Sequence, residues 1–107
     1  MRLDVHAQGI PLTERLRAHI DRQVQFALSA FGSRIRHVRV QLRDLNGPRG
    51  GEDVHCQIQA RLEPRGDVII KETRADSFGA VARATDRVKQ AVSRQLARAR
   101  ARRRRRV

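Results

Sequence analysis

The sequence predicts an α+β domain with the element order β-α-β-β-β-α, in which two helices pack on one face of a four-stranded sheet. Two kinds of pattern support this prediction. Apolar and polar residues alternate over short segments, and apolar residues recur at helical spacing over two longer ones. A chain of 107 residues is long enough for one domain with its own core and too short for two. We therefore expect one core between the helices and the sheet.

The first half of the chain predicts a strand, a helix and a second strand. Residues 1–7 alternate in the manner of a strand. Thr13 is a suitable helix N-cap, and apolar residues follow at helical spacing until Gly32, which is placed to end the helix. Residues 35–43 alternate again and predict the second strand. The Gly- and Pro-rich residues 44–51 then predict a loop.

The second half predicts two more strands and a long helix. Residues 54–62 alternate over their whole length, and a turn at 64–67 joins them to a fourth strand at 68–73. Asp76 is placed to cap the second helix. The predicted core stripe of this helix consists of Phe78, Val81, Ala82, Thr85, Val88, Val92 and Leu96.

The charge of the chain predicts a polyanionic partner. The formal net charge is +13, and residues 97–107 carry seven arginines and no acid, which leaves +6 on residues 1–96. We therefore divide the chain into a basic domain at 1–96 and an arginine-rich tail at 97–107 that is disordered or a frayed helix. Only Lys71 and Lys89 are lysines, and the planar guanidinium of arginine suits phosphate and base stacking. Nucleic acid, and RNA in particular, is the favoured partner.

Arginines also gather on the helix faces opposite the predicted core stripes. Arg15 and Arg22 lie there on the first helix. No acid occurs between residues 87 and 107, although an ordinary solvated helix face mixes signs. Because folding gains nothing from repulsion between like charges, this pattern favours phosphate binding. The second helix contributes Arg83, Arg87, Arg94 and Arg98.

Other chemistry has little support in the sequence. No nucleophile motif, Gly-rich phosphate loop or cluster of metal ligands is present, and no cofactor is expected. The single Cys56 is expected to be a buried packing thiol. His6, His37 and His55 project from the outer face of the predicted sheet, where solvated strand positions explain them better than a metal site. No signal peptide or membrane-spanning segment is expected.

Four passages of the sequence, taken together, resemble the ribosome hibernation-promoting factor and ribosome-associated inhibitor family, also known as sigma-54 modulation proteins. They are M-R-L-D-V at 1–5, T-E-R-L-R at 13–17, the second strand at 35–42, and residues 66–88, which include D-S-F-G-A-V at 76–81. The resemblance covers about residues 1–96. The chain departs from the family pattern at Gln23, Phe26 and Gln90, where basic residues are common in the family.

The resemblance implies a factor that binds the mRNA and tRNA channel of the small ribosomal subunit and inhibits translation during stress. It also implies a short form without the C-terminal dimerisation domain, monomeric off the ribosome and cytoplasmic. The expected ribosomal-RNA contacts are Arg15, Arg22, Arg83, Arg87, Arg94, Arg98, Arg102, Arg103, Arg104, Arg105 and Arg106.

Two other functions are compatible with the sequence. One is a binding protein or chaperone for structured or double-stranded RNA, since such domains share the α-β-β-β-α order. The other is a membrane-surface protein held by its polybasic tail, which is less favoured because no apolar anchor accompanies the tail. We expect neither an enzyme nor a small-molecule substrate. The near absence of aromatic residues indicates contacts to RNA shape and backbone more than to base identity.

Overall fold

The computed structural model describes residues 1–45 and 53–106, and it has the predicted element order. A short 3₁₀ segment follows the first helix. The elements are β1 (Arg2–Gln8), α1 (Glu14–Leu28), the 3₁₀ segment (Ser29–Arg34), β2 (Ile35–Asp44), β3 (Val54–Leu62), β4 (Asp67–Arg74) and α2 (Ser77–Arg106). Residues 46–52, most of the predicted loop, lie outside the described residues.

The four strands form one sheet in the order β1-β2-β3-β4. β1 and β2 are parallel and are joined through α1, whereas β2, β3 and β4 are antiparallel neighbours. Side chains alternate across each strand, so one face of the sheet meets the helices. In β2 the inward residues Val38, Val40 and Leu42 are buried, as the alternation predicted. The predicted α+β fold with both helices on one face is confirmed.

Local hydrogen bonds begin both helices at the predicted residues. The Leu16 amide donates to Thr13 Oγ1 over 3.1 Å. The Gly79 amide donates to Asp76 Oδ1 over 2.7 Å. Each bond satisfies an amide that has no partner within its helix.

α1 ends earlier than the sequence predicted. Its last α-helical residue is Leu28, and the next six residues form the 3₁₀ segment. Within that segment Gly32 has φ +56° and ψ −132°, which side-chain-bearing residues rarely adopt. Phe31 packs partly buried against the core. The apolar spacing continued past Leu28 because the tighter helix still turns Phe31 inward, so periodicity alone did not reveal the change of helix type.

The buried stripe of α2 also differs in part from the prediction. Phe78 is 37% exposed and Ala82 is only partly buried, whereas Ala80 and Ala84 are fully buried. Small alanine side chains let the helix lie close to the sheet, and Phe78 in the first turn remains at the domain surface. The predicted members Val81, Thr85, Val88, Val92 and Leu96 are buried.

The arginine-rich segment continues α2 as far as Arg106, where the sequence suggested a disordered or frayed tail. Alanine and arginine are among the strongest helix formers, and no glycine, proline or β-branched residue occurs from 93 to 106. Cations in the last turn also interact favourably with the helix dipole. A helix of 30 residues is about 45 Å long, and the molecule extends 58 Å in its longest dimension.

Candidate nucleic-acid interface

The start of α1 holds Arg15 against an aromatic ring. The guanidinium carbon of Arg15 lies 5.7 Å from the centre of the Phe78 ring, in a cation–π contact. The His19 ring lies 4.9 Å from the same centre, and its Nε2 hydrogen-bonds the Phe78 carbonyl oxygen at 3.2 Å. These contacts join the first turns of α1 and α2 and fix the surface on which Arg15 stands.

Farther along α1, the exposed surface carries Arg22 and Phe26. Arg22 is exposed and has no ion pair with another described residue. Phe26 is 86% exposed. The two residues are four apart, so their side chains are neighbours on the helix surface. Arg22 is therefore available to a phosphate group, with an aromatic ring beside it.

Arg87 of α2 makes contacts within the fold instead. Its Nη1 donates to the Lys71 carbonyl oxygen over 2.9 Å and to Glu72 Oε2 over 2.7 Å, both in β4. Glu72 is 14% exposed and also accepts a hydrogen bond from Arg74 over 3.2 Å. The bond from Arg87, aided by the one from Arg74, holds the pKa of the Glu72 carboxyl below its usual value, although desolvation opposes this effect.

The other sequence-predicted arginines of α2 fall into two groups. Arg83 lies 3.6 Å from the Asp86 carboxylate, one turn away on the same helix. Arg94 and Arg98 are exposed and have no ion pair with any other described residue. The predicted line of four arginines is therefore divided, with two members beside acids in the first half of α2 and two available for binding in the second.

The two helices present their arginines on different flanks. α1 meets α2 where Thr85 Oγ1 lies 3.5 Å from Gln23 Oε1. Arg87 is about 160° around α2 from Thr85, over β4. Arg15 and Arg22 therefore lie on the α1 side of the helical layer. The α2 arginines lie toward its opposite edge, above β4. No contact joins the two groups among the described residues, and any ligand that engages both must span the layer.

The last turns of α2 form one wall of a cleft of about 400 Å³. The turn between β3 and β4 provides the opposite wall, where Gly66 has φ +108° and an added Cβ would lie 2.5 Å from Gln95 Nε2. A side chain at this position would displace Gln95, so glycine allows the turn to approach α2. The cations that line the cleft are Arg34, Arg65, Arg102, Arg103 and Arg106.

The outer face of the sheet holds the histidines singled out in the sequence. His37 Nε2 lies 2.7 Å from Asp4 Oδ2, and this hydrogen bond lowers the pKa of the Asp4 carboxyl. His55 Nδ1 lies 3.3 Å from Thr73 Oγ1. Within residues 1–45 and 53–106, no three histidine, cysteine, aspartate or glutamate side chains are grouped to hold a metal ion. In the same ranges, no helix combines the length and the apolar character needed to cross a membrane.

Cys56 lies on the opposite, inward face of the sheet and is fully buried. Burial, aided by the nearby charge of Glu72, raises the pKa of its thiol to about 12. The thiol is therefore protonated at neutral pH and is a poor nucleophile. The expectation of a buried thiol at this position is confirmed.

The contact between Glu72 and Arg87 was not predicted from the sequence, although the sequence holds a signal for it. In the alternation of β4, Glu72 follows Val68 and Ile70 on the inward face, opposite Cys56. A carboxylate in an inward position needs a partner. Arg87 is the nearest cation of α2 that can reach it, and this requirement could have separated Arg87 from Arg94 and Arg98.

The family model for sigma 54 modulation protein / S30EA ribosomal protein matches residues 3–104. The similarity thus includes most of the arginine-rich segment, and the expectation that it ends near residue 96 is wrong. No sequence of a curated protein matches the chain.

Two solved structures have a similar fold. The N-terminal domain of Protein Y from Thermus thermophilus has a TM-score of 0.73 and 22% identity, and the match covers 88% of this chain and 98% of that one. A ribosomal subunit interface protein from Coxiella burnetii has a TM-score of 0.77 and 11% identity, with 91% and 99% covered.

Proposed function

The chain belongs to the sigma 54 modulation protein / S30EA ribosomal protein family, and we propose that it is a hibernation factor that binds the small ribosomal subunit and inhibits translation. The domain occupies the channel for mRNA and tRNA, and its arginines contact phosphates of ribosomal RNA. It acts in the cytoplasm under stress, as a monomer when off the ribosome, and without a cofactor. Inhibition is steric and requires no catalytic step.

The observation that carries this proposal is the second half of α2. It presents exposed arginines along a helix that contains no acid after Asp86. Phosphate contacts supply sequence-independent affinity and fix the position of a protein on RNA. Folding does not require this charge, because the buried residues of α2 end at Leu96.

The arginines differ in whether a carboxylate of the protein already lies beside them and would compete with an RNA phosphate. Arg22, Arg94, Arg98 and the arginines at 102–106 can take up phosphate contacts directly. Arg83 and Arg87 stand beside Asp86 and Glu72, so an RNA phosphate would have to share or replace these carboxylates. We therefore assign the main contacts to the first group and an accessory role to the second. Arg15 contributes from its position over the Phe78 ring.

The experiment is gradient co-sedimentation of the protein with purified small ribosomal subunits. Wild type is compared with the double variant Arg94→Glu/Arg98→Glu, which reverses two exposed charges away from the core. We expect wild type to co-migrate with the subunit and the variant to remain near the top of the gradient, with an unchanged thermal midpoint. Arg39→Glu/Arg43→Glu reverses two exposed charges on β2 and serves as the control.

Competition separates this function from generic RNA binding. A protein in the mRNA and tRNA channel should be displaced by added tRNA and mRNA. A binder of structured RNA should instead bind free duplex RNA equally well and be insensitive to occupancy of the channel. Persistent binding in the presence of saturating tRNA would favour this second function.

A further inference from the structure

Phe26 has the most exposed large apolar side chain in the described part of the chain. It is 86% exposed, compared with 51% for Ile69, the next in order. It stands on α1, whose exposed surface is otherwise polar or charged at Glu14, Arg15 and Arg22. The core accounts for the remaining apolar residues of α1, but it does not account for Phe26.

The placement of Phe26 on α1 links it to a row that contains two arginines. Residues 15, 19, 22 and 26 recur at intervals of four, three and four, which puts them on one helix face. Phe78 holds Arg15 and His19 at one end of this row. Phe26 stands at the other end, about 10 Å beyond His19 along the helix axis. Arg22 lies between the two ends, one turn before Phe26.

A second cation approaches Phe26 from α2. The helices run in the same direction, because His19 meets Phe78 and Gln23 meets Thr85 farther along both. One turn beyond that last contact, α1 presents Phe26 and α2 presents Lys89, which is exposed. The ring therefore lies between the positions of Arg22 and Lys89.

We propose that Phe26 is a stacking platform for an unpaired nucleobase, with Arg22 and Lys89 binding the phosphates on either side of that nucleotide. This inference rests on the proposed function, because it assigns a base contact within the same RNA interface. Phe26 would then contact a base, whereas the arginines of the proposed interface contact phosphates.

Charge decides between RNA and a protein partner. A large contiguous apolar patch is the usual mark of a protein docking surface, whereas Phe26 is a single ring beside cations. One aromatic ring is enough to stack a base, and the contact tolerates any base because each has a π face. Arginine and lysine at the two sides match the negative charge that accompanies every base in a strand. The next most exposed large apolar side chain among the described residues, Ile69, lies on β4 in the outer face of the sheet.

The test uses two single-stranded probes of equal length and charge, a dodecamer of adenylate and its abasic counterpart. Phe26→Leu keeps an apolar side chain but removes the π face, and Phe26→Tyr restores it. We expect Phe26→Leu to weaken binding of oligoadenylate roughly tenfold and Phe26→Tyr to bind like wild type. The abasic probe should bind all three proteins equally. Ile69→Ala is the control variant, and it should bind both probes like wild type.

Fluorescence gives an independent readout, because the chain contains neither tryptophan nor tyrosine. Phe26→Trp introduces a single fluorophore at the proposed platform. Stacking on adenine should quench its emission, and the abasic probe should leave the emission unchanged at the same saturation. Equal emission with both probes would show that no base reaches the ring.

Other outcomes overturn the inference in distinct ways. If Phe26→Leu weakens both probes equally, the ring acts on backbone binding and not on a base. If it weakens neither, the ring makes no contact. If it changes the sedimentation of the free protein, Phe26 joins two copies of the chain. Co-sedimentation of wild type with the small subunit is measured separately. Base stacking on Phe26 can therefore be disproved while ribosome binding is confirmed, and ribosome binding can be disproved while base stacking is confirmed.

Discussion

The two halves of α2 use the same residue type for opposite purposes. In the first half, Arg87 is bound to the Glu72 carboxylate and to a backbone carbonyl of β4. Beyond Leu96, the last residue of the buried stripe, the helix continues with arginines that are exposed. The comparison shows that position relative to the sheet, and not the arginine itself, determines whether the charge stabilises the fold or is available to a ligand.

The strongest test of this contrast removes the part of α2 beyond Leu96. Deletion of residues 97–107 eliminates seven positive charges, and none of residues 97–106 has a buried side chain. We expect affinity for the small subunit to fall on the order of 100-fold, and the plot of log affinity against log salt to flatten by about 0.7–0.9 for each lost phosphate contact. Fluorescence anisotropy at several salt concentrations measures both quantities.

A variant with lysine at all seven positions is the control for charge alone and should retain most of the affinity. The truncated protein should still compete with tRNA and leave the same footprint on ribosomal RNA. A displaced footprint would mean that the second half of α2 selects the binding site.

Charge reversal at one position in each half should separate stability from binding. Arg87→Glu places a second carboxylate beside Glu72, so the free energy of unfolding should fall by about 2 kcal/mol. Arg94→Glu should leave stability within about 0.5 kcal/mol of wild type. Urea denaturation followed by circular dichroism gives both values. Equal stability of the two variants would remove the distinction between the halves.

A substitution in the core beneath the first half of α2 should lower the stability by less than the charge reversal at Arg87. Cys56→Ala removes a buried sulfur between the sheet and the helices, and we expect a loss of about 1 kcal/mol. Binding to the small subunit should be unchanged at saturation. Because the pKa of the thiol is raised to about 12, iodoacetamide should modify the native protein much more slowly than the unfolded protein. Rapid modification of the native state would contradict burial.

The smallest expected effect is in the pH dependence of stability. In the folded state the hydrogen bond from Arg87 holds the pKa of Glu72 below the ordinary value of a glutamate. The stabilisation is therefore complete above that value and is lost as pH falls through the lower pKa of the folded state. Glu72→Gln lacks this titration, so its stability should fall less steeply between neutral and acid pH than that of wild type. Parallel curves would show that the pair with Arg87 does not contribute to acid sensitivity.

Sequence patterns predicted the fold more completely than the interface. Alternation specified the faces of β2 and β3, and the caps at Thr13 and Asp76 gave the helix starts, because these signals are local. The division among the arginines depends on β4 lying beneath Arg87, which is a contact across 15 residues of sequence. Local patterns also left the form of residues 97–106 open between disorder and a frayed helix, since a run of like charges was given more weight than the helix propensity of alanine and arginine.

The helical form of residues 97–106 gives this segment a definite linear charge density. Seven arginines over ten residues correspond to about one positive charge per 2 Å of helix axis, and the run from 102 to 106 to about one per 1.5 Å. Double-stranded DNA carries one negative charge per ~1.7 Å of helix axis. The segment is thus a short rod whose charge density is of the same order as that of a nucleic-acid duplex but of opposite sign, and it should hold an atmosphere of small anions of its own. Release of these anions, together with the cations of the RNA, would add to the entropy gained on binding.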